Sequence, residues 1–368
     1  MNQKNETLKT LISGKNTEAG ITRRQFLYGI GAAGMVIAGG RLHGHAILKK
    51  ANAASGAPAD RRERIWNTIH HGNVDYVPGA FFLHFGGEFK KGEAAIRRHI
   101  EYVRFCDLDL AKVQYEKLFP SLDKIKKPCD WTKMPFYGAD FFEEPLEVIK
   151  GVIRETGKER PVVATLYSPC MCAGHTVTDD LLTRHLNEDP EAVRRGFETI
   201  AESLKVYVRE AVRLGVDGFL LCTQGGEQGR FADKGIFDRY VKPYDLSVMG
   251  EAVLRTRLNI LHICDYLGDY DDLSSYLDYP GDVVNCSLKL GKTLLTPAGL
   301  YDFFGRPFMG GIDKKGVIYS GSEREIAAEV HSILQNAPAR FILGASCTLP
   351  SDISWHNVAV AVKEAHGY

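Results

Sequence analysis

The chain has 368 residues, in which 46 basic residues balance 46 acidic residues. Residues 1–53 hold eight of the basic and two of the acidic residues, which leaves 38 basic against 44 acidic residues and a net charge of −6 for the remainder. A mildly acidic chain argues against a nucleic-acid partner. The roughly 310 residues after position 53 suit one large domain or two small ones, and no later stretch has the length of a membrane span.

The N-terminal segment has the features of an export signal in the expected order. Arg23 and Arg24 stand directly before a short apolar run over residues 26–40, and small residues follow at positions 51–53, at the spacing that a signal peptidase reads. The run is shorter and less apolar than a typical membrane span. We therefore predict a twin-arginine signal over residues 1–53. It would deliver a folded protein through the Tat machinery to the periplasm or another extracytoplasmic space. An uncleaved N-terminal membrane anchor is the alternative.

Short apolar segments alternate with helical patterns in the rest of the chain. Eight segments are rich in β-branched and aromatic residues, are bounded by Gly and Pro, and are predicted to be buried strands. They cover residues 77–85, 108–115, 161–167, 216–222, 258–264, 282–288, 306–312 and 339–347. Amphipathic helices are predicted over residues 190–214 and 322–336, the second of which opens with a capping box of Ser322 and Glu325.

This alternation predicts an α/β fold, a closed (β/α)8 TIM barrel over residues 61–368. The alternative fold is a doubly wound open sheet. It is disfavoured because no Gly-x-Gly-x-x-Gly turn follows the first strand.

Cysteines concentrate where a barrel enzyme would place its chemistry, at the carboxyl ends of the strands. Six of the eight cysteines follow this pattern: Cys170, Cys172, Cys222, Cys264, Cys286 and Cys347. His262 and Cys264 are two residues apart on one predicted strand, so their side chains share a face, and Cys347 ends the last strand. Two thiolates and one imidazole suit Zn²⁺, and three protein ligands leave a fourth position open, as in catalytic zinc sites. On spacing alone, cysteines that merely pack in the core fit equally well.

The other cysteines at the predicted strand ends are further candidates for functional residues. Cys170 and Cys172 would point the same way in an extended segment, and we consider them as additional thiols for a metal or redox site, or as ordinary loop cysteines. Cys222 and Cys286 are interpreted as packing residues.

Two carboxylates are candidates for acid–base catalysis. Asp313 ends the seventh strand and fits a helix N-cap equally well, whereas Glu227 follows two glycines in a loop near the barrel mouth. The candidates for the substrate pocket are His84, Tyr115, Gly310 and Gly311.

With these residues in place, the chain resembles the uroporphyrinogen decarboxylase superfamily. The segments that carry the resemblance are residues 261–265, 308–313, 323–334, 340–350 and 356–358. The resemblance spans roughly residues 61–368 and implies a (β/α)8 barrel with its site at the carboxyl ends of the strands.

Two branches of that superfamily bear on function. The decarboxylases hold a tetrapyrrole with arginines and an aspartate, without a cofactor, but the loop over residues 83–89 lacks the arginine pair of that branch. The zinc methyltransferases, which move a methyl group from a corrinoid protein to a thiol, carry His-x-Cys and a distant Cys. His262, Cys264 and Cys347 match that motif, although Asp265 stands where a Gly often follows.

The resemblance to the second branch implies bound zinc, a small-molecule thiol acceptor, and a corrinoid that is bound directly or carried by a partner protein. Two alternatives stay open. One is a decarboxylase-like enzyme that acts on a tetrapyrrole carboxylate, and the other is an exported, non-catalytic barrel that binds a corrinoid or a metal.

Overall fold

A computed structural model describes residues 60–114 and 117–368 of the protein. The predicted export signal and Tyr115 lie outside the described residues. Seven strands form one parallel sheet in the order β1-β2-β3-β4-β5-β8-β9. They are β1 Ala111–Val113, β2 Val162–Tyr167, β3 Gly218–Thr223, β4 Ile260–Ile263, β5 Val283–Asn285, β8 Phe308–Ile312 and β9 Phe341–Ala345. Strands β6 (Lys289–Leu290) and β7 (Thr293–Leu294) form a separate antiparallel hairpin.

The segment over residues 77–85, predicted as the first strand, lies between the two edges of this sheet. The amide of Leu343 in β9 donates to Pro78 O at 2.9 Å, and the amide of Asp109, just before β1, donates to Gly79 O at 3.0 Å. Leu83 forms a second parallel bridge, to Leu349. The ladder is interrupted in part because Pro78 has no amide hydrogen to donate. The segment thus joins β9 to β1, and the predicted TIM-barrel-like α/β fold is confirmed.

Eleven α-helices of the described residues surround the sheet. They are α1 Arg61–His70, α2 Gly92–Phe105, α3 Glu143–Thr156, α4 Pro169–Val177, α5 Asp179–Glu188, α6 Pro190–Leu214, α7 Lys242–Val253, α8 Pro297–Phe304, α9 Val317–Ser320, α10 Glu323–Gln335 and α11 Trp355–His366.

Two of these helices confirm the predictions in detail. Helix α6 begins after Asp189, whose side chain accepts from the amide of Ala192, and ends at Gly215 in the left-handed conformation that favours glycine. Helix α10 begins with the predicted capping box, in which Ser322 and Glu325 exchange side-chain and amide hydrogen bonds. Among the described residues, no helix combines the length and the apolar character that crossing a bilayer demands.

Two inward-facing layers of the barrel explain where the site lies. The lower layer is apolar and includes Leu110, Val163, Leu220, Ile260 and Val283. Because side chains alternate along a strand, the next inward-facing positions toward the carboxyl ends are two residues further on. They are Lys112, Thr165, Cys222, His262 and Asn285. The change from an apolar to a polar residue occurs on four of the five strands, and the fifth, β3, presents the thiol of Cys222. Polar groups are therefore concentrated above the apolar layer.

A candidate metal centre at the carboxyl ends of the strands

Three side chains that the sequence singled out converge at the top of the barrel. The donor atoms of His262, Cys264 and Cys347 all lie within 4.8 Å of one another. Cys347 Sγ is 3.3 Å from His262 Nε2, and it is 3.7 Å from Cys264 Sγ. All three residues are buried. Strand β4 places the first two on one face, and the last strand delivers Cys347 from three strands away in the sheet.

These separations fit a tetrahedral zinc ion. With Zn–S bonds of about 2.3 Å and a Zn–N bond of about 2.0 Å, tetrahedral geometry places two sulfur ligands about 3.8 Å apart, and a sulfur and a nitrogen ligand about 3.5 Å apart. The observed 3.7 Å between the two Sγ atoms and 3.3 Å between Cys347 Sγ and His262 Nε2 are close to these values. The donor set and these two separations therefore suit zinc, with one position left for another ligand.

The orientation of His262 depends on a buried amide. Its Nδ1 lies 2.6 Å from Oδ1 of Asn285 on the neighbouring strand β5. The Nδ2 group of Asn285 donates to the carbonyl oxygens of Met309 and Ala345, at 2.8 and 3.0 Å. His262 is thereby held with its Nε2 toward the two thiols.

Cys264 has two further polar contacts. Gln224 Nε2 donates to Cys264 Sγ at 3.5 Å, and Tyr270 Oη donates to the carbonyl oxygen of Cys264 at 2.9 Å. A donor facing the sulfur favours its thiolate form, whereas the bond from Tyr270 fixes the backbone that presents the sulfur. The sequence showed Gln224 only as a strand-end residue and did not identify it as part of the site.

The two thiols share their protons unequally. The hydrogen bond from Cys264, followed by the nearby His262 and Lys314, holds the pKa of Cys347 well below its usual range. The same hydrogen bond, together with burial, raises the pKa of Cys264. The pair therefore loses its first proton more readily than its second.

A charged pair lies at the edge of the cluster. Lys314 Nζ donates to Asp265 Oδ1, and both side chains are mostly buried. Burial lowers the pKa of Lys314, but the adjacent Cys347 and Asp265 outweigh burial, so its pKa is raised overall. The ammonium group therefore remains charged beside the thiols, where it favours negative charge on sulfur or on a ligand.

The cluster opens into a cavity of about 740 Å³. His84 lies in its wall. Four lysines line the cavity, Lys90, Lys112, Lys314 and Lys315, together with the two carboxylates of Asp179 and Asp265. Lys112 is buried on β1, with its Nζ 4.9 Å from the centre of the Phe82 ring. A cavity of this size holds a ligand of several hundred daltons, and its lysines favour one with negative groups.

The two carboxylates proposed for acid–base chemistry lie elsewhere. Asp313 is exposed and its Oδ1 accepts from the amide of Lys315 at 2.9 Å, so it caps the turn before α9. Glu227 is buried in a small separate pocket of about 100 Å³. Its Oε2 accepts from the amide of Gly225 and from Arg230, and these contacts hold its loop in place. Neither carboxylate lies in the wall described for the large cavity.

The glycines proposed for the pocket face packed side chains. Both adopt positive φ, at 150° for Gly310 and 107° for Gly311. A Cβ at Gly311 would lie 2.8 Å from Ile333 of α10, and a Cβ at Gly310 would lie 3.0 Å from Phe308. Their small size thus allows the close packing of β8 against its surroundings, whereas the expectation was a close approach to a ligand.

The segment that holds Cys170 and Cys172 is neither extended nor a loop. Residues Pro169–Val177 form α4, whose first turn is capped by Ser168. Two residues are about 200° apart around a helix axis, so the two thiols point in different directions. Both are buried, and burial raises the pKa of Cys170 to about 12. Met171 and His175 of the same helix lie in the cavity wall instead.

Cys222 and Cys286, both interpreted as packing residues, differ in where they lie relative to the cavity. Cys222 is buried but lies in the cavity wall, on β3 beside His262 in the sheet register. Burial raises its pKa to about 12, so it stays a neutral thiol. Cys286 is buried just after β5, and its pKa is raised by burial as well.

Comparisons with known proteins agree with the fold. The family model for uroporphyrinogen decarboxylase (URO-D) matches residues 111–368. A methyltransferase from Methanosarcina mazei has a similar solved structure, with a TM-score of 0.64, 15% sequence identity, and coverage of 83% of this chain and 98% of that chain. A B12-independent methionine synthase from Shewanella sp. W3-18-1 has a TM-score of 0.48, 12% identity, and coverage of 79% and 96%. A search of curated protein sequences gave no significant match. Because the family model covers most of the chain, from the first strand of the sheet to the C-terminus, the protein belongs to the uroporphyrinogen decarboxylase family.

Proposed function

We propose that the protein is a zinc-dependent methyltransferase that transfers a methyl group from a corrinoid, or a similar donor, to a thiol. The observation that carries the proposal is the cluster of His262, Cys264 and Cys347, whose spacing suits tetrahedral zinc and which faces a large cavity. Membership of the URO-D family supports the proposal. So does the fold shared with a protein described as a methyltransferase, although that likeness concerns the fold alone.

In this proposal His262 Nε2, Cys264 Sγ and Cys347 Sγ hold the metal. A zinc ion there would supply Lewis acidity that lowers the pKa of an acceptor thiol at the fourth position. The protein residues have separate tasks. Gln224 donates to one sulfur, and Lys314 places a positive charge beside the other.

The cavity suggests the chemistry of the ligands. Four lysines against two aspartates in its wall favour a donor or an acceptor that carries carboxylate or phosphate groups. A volume of about 740 Å³ accommodates a small thiol together with part of a larger donor. A corrinoid could enter as a bound ligand or be presented by a partner protein at the mouth of the cavity.

We further propose that residues 1–53 direct export by the twin-arginine route. All eight cysteines are free thiols, and a site built on thiolates benefits from folding and loading metal in the reducing cytoplasm before export. Replacing both Arg23 and Arg24 with Lys should retain the protein in the cytoplasm, with Arg41→Lys as the control. Export of the doubly substituted protein at the wild-type level would contradict this part of the proposal.

A decarboxylase that acts on a tetrapyrrole carboxylate is the second candidate. The lysines of the cavity favour it, because such a substrate carries several carboxylates. The loop over residues 83–89, which lacks the arginine pair, counts against it. A non-catalytic barrel that binds a corrinoid or a metal is the third candidate.

One experiment separates the three. The purified protein is analysed for metals and then assayed for methyl transfer from methylcobalamin to a panel of thiols, and for decarboxylation of uroporphyrinogen. We expect about one zinc per chain and methyl transfer, both abolished in Cys264→Ala. Cys106→Ala is the matched control, since Cys106 is also buried but contacts the backbone of Trp355. A metal-free protein that decarboxylates would establish the second candidate, and ligand binding without turnover would establish the third.

A further inference from the structure

The buried carboxamide of Asn285, on β5, contacts three other strands of the barrel. It is 2% exposed, and all of its hydrogen-bonding groups have partners. We infer that Asn285 is a positioning residue of the metal centre, which fixes the tautomer of His262 and ties that ring to the strand leading to Cys347. The inference rests on the proposed metal site and names the residue that organises it.

The tautomer follows from the partners of the amide. Two backbone carbonyl oxygens, those of Met309 and Ala345, lie 2.8 and 3.0 Å from one end of the Asn285 side chain. A carbonyl oxygen can only accept, so this end must be the NH₂ group. The other end is therefore the carbonyl oxygen, and it faces His262 Nδ1 at 2.6 Å. Nδ1 must therefore carry a hydrogen, and in the neutral imidazole the lone pair of Nε2 is directed toward Cys347.

The same amide connects the strands that supply the ligands. In the sheet order β4-β5-β8-β9, the imidazole comes from β4 and Cys347 follows β9. Asn285 on β5 bonds to His262 of β4, to the carbonyl of Met309 in β8, and to the carbonyl of Ala345 in β9, two residues before Cys347. One side chain thus links all four strands at the level of the site. It fixes the separation between His262 and Cys347 before a metal arrives.

Substitutions can separate the two tasks. Asn285→Asp keeps the shape and the acceptor for Nδ1 but replaces two N–H donors with an oxygen facing two carbonyl oxygens. Asn285→Ala removes all three bonds and leaves the ring free to present either nitrogen. The matched control is Asn259→Ala, because Asn259 is 1% exposed and its side chain donates to Asp282 and accepts from Thr256 at the opposite end of β4.

The first measurement is zinc affinity, by competition with a chromophoric chelator. Partners that orient a metal-binding histidine are typically worth about 10–100-fold in metal affinity, and we expect a loss of this size in both Asn285 variants. Asn259→Ala should lower stability and leave zinc affinity unchanged. In the Co²⁺-substituted protein, the Asn285 variants should also show an altered visible spectrum, a change that lower stability alone does not produce.

The second measurement needs no variant. In the metal-free wild-type protein, ¹⁵N–¹H NMR correlations of the imidazoles should show His262 with its hydrogen on Nδ1. Finding the hydrogen on Nε2 and none on Nδ1, or finding wild-type zinc affinity and Co²⁺ spectrum in both Asn285 variants, would overturn the inference. If the wild-type protein binds no zinc, the proposed function fails, and the NMR measurement still decides whether Asn285 sets the tautomer.

Discussion

Replacing Asp109 tests how the barrel is closed. This carboxylate is fully buried beneath the sheet and accepts from the amide of Gly79 at 2.9 Å and from Tyr76 Oη at 3.0 Å. It also contacts His366 Nε2 at 2.8 Å, and Arg64, itself buried, at 3.4 Å. Through these contacts it holds the segment over residues 77–85, which joins the two edges of the sheet.

In Asp109→Ala, the amide of Gly79 and the hydroxyl of Tyr76 lose their acceptor, and Arg64 loses one of its acidic partners. Removing one member of a buried, hydrogen-bonded charge cluster costs about 3–5 kcal/mol. We expect a loss of this size in the free energy of unfolding, measured by urea denaturation followed by circular dichroism. Asp107→Ala is the control, because Asp107 bonds to Arg61 but its side chain is 59% exposed, and surface pairs contribute about 0–1 kcal/mol. If Asp109→Ala costs no more than Asp107→Ala, the cluster does not stabilise the closure.

Three further predictions concern titration, oxidation and charge. Burial raises the pKa of Asp245 to about 7 from the ordinary value of 3.8. The protonated side chain therefore stabilises the fold at low pH, and this stabilisation is lost as the pH rises through 7. Between about pH 5 and 8, the free energy of unfolding, taken from denaturation curves, should fall by about 3 kcal/mol more in the wild-type protein than in Asp245→Asn. The sulfur atoms of Cys264 and Cys347 are 3.7 Å apart, so oxidised glutathione should convert them to an intramolecular disulfide in the metal-free protein and release two reduced glutathiones. Mass spectrometry should show the loss of two hydrogens, and the oxidised protein should no longer bind zinc. The zinc-loaded protein should resist this oxidation, and equal rates of oxidation in both forms would contradict the proposed metal site. Lys112→Met should weaken binding of anionic ligands to the cavity about tenfold, measured by calorimetry, and leave zinc affinity unchanged; unaltered ligand affinity would show that Lys112 does not contact them.

The convergence of His262, Cys264 and Cys347 at the carboxyl ends of the strands was predictable from two simple features of the fold. Alternation along a strand put His262 and Cys264 on one face, and the parallel barrel brought Cys347 to the same end. Neither step requires knowledge of side-chain packing. The donor atoms lie within 4.8 Å of one another as a direct consequence of the strand order.

Other features depend on contacts that no local pattern encodes. The sequence around Asn285 does not indicate a role in the site. That role becomes visible only from its hydrogen bonds to two carbonyl oxygens on other strands. The helix over Cys170 and Cys172 was readable in principle, because Ser168 and Pro169 are a typical N-cap and first helical residue. Considering only an extended segment or a loop gave the cysteine spacing more weight than this start signal.

The most direct test of the account is the zinc stoichiometry of the purified protein, measured by elemental analysis in the wild type and in the single variants His262→Ala, Cys264→Ala and Cys347→Ala. The account predicts about one zinc per chain in the wild type and in the Cys106→Ala control, and much less in each of the three variants. Wild-type zinc content in the three variants, or a fully active wild-type protein without metal, would contradict it.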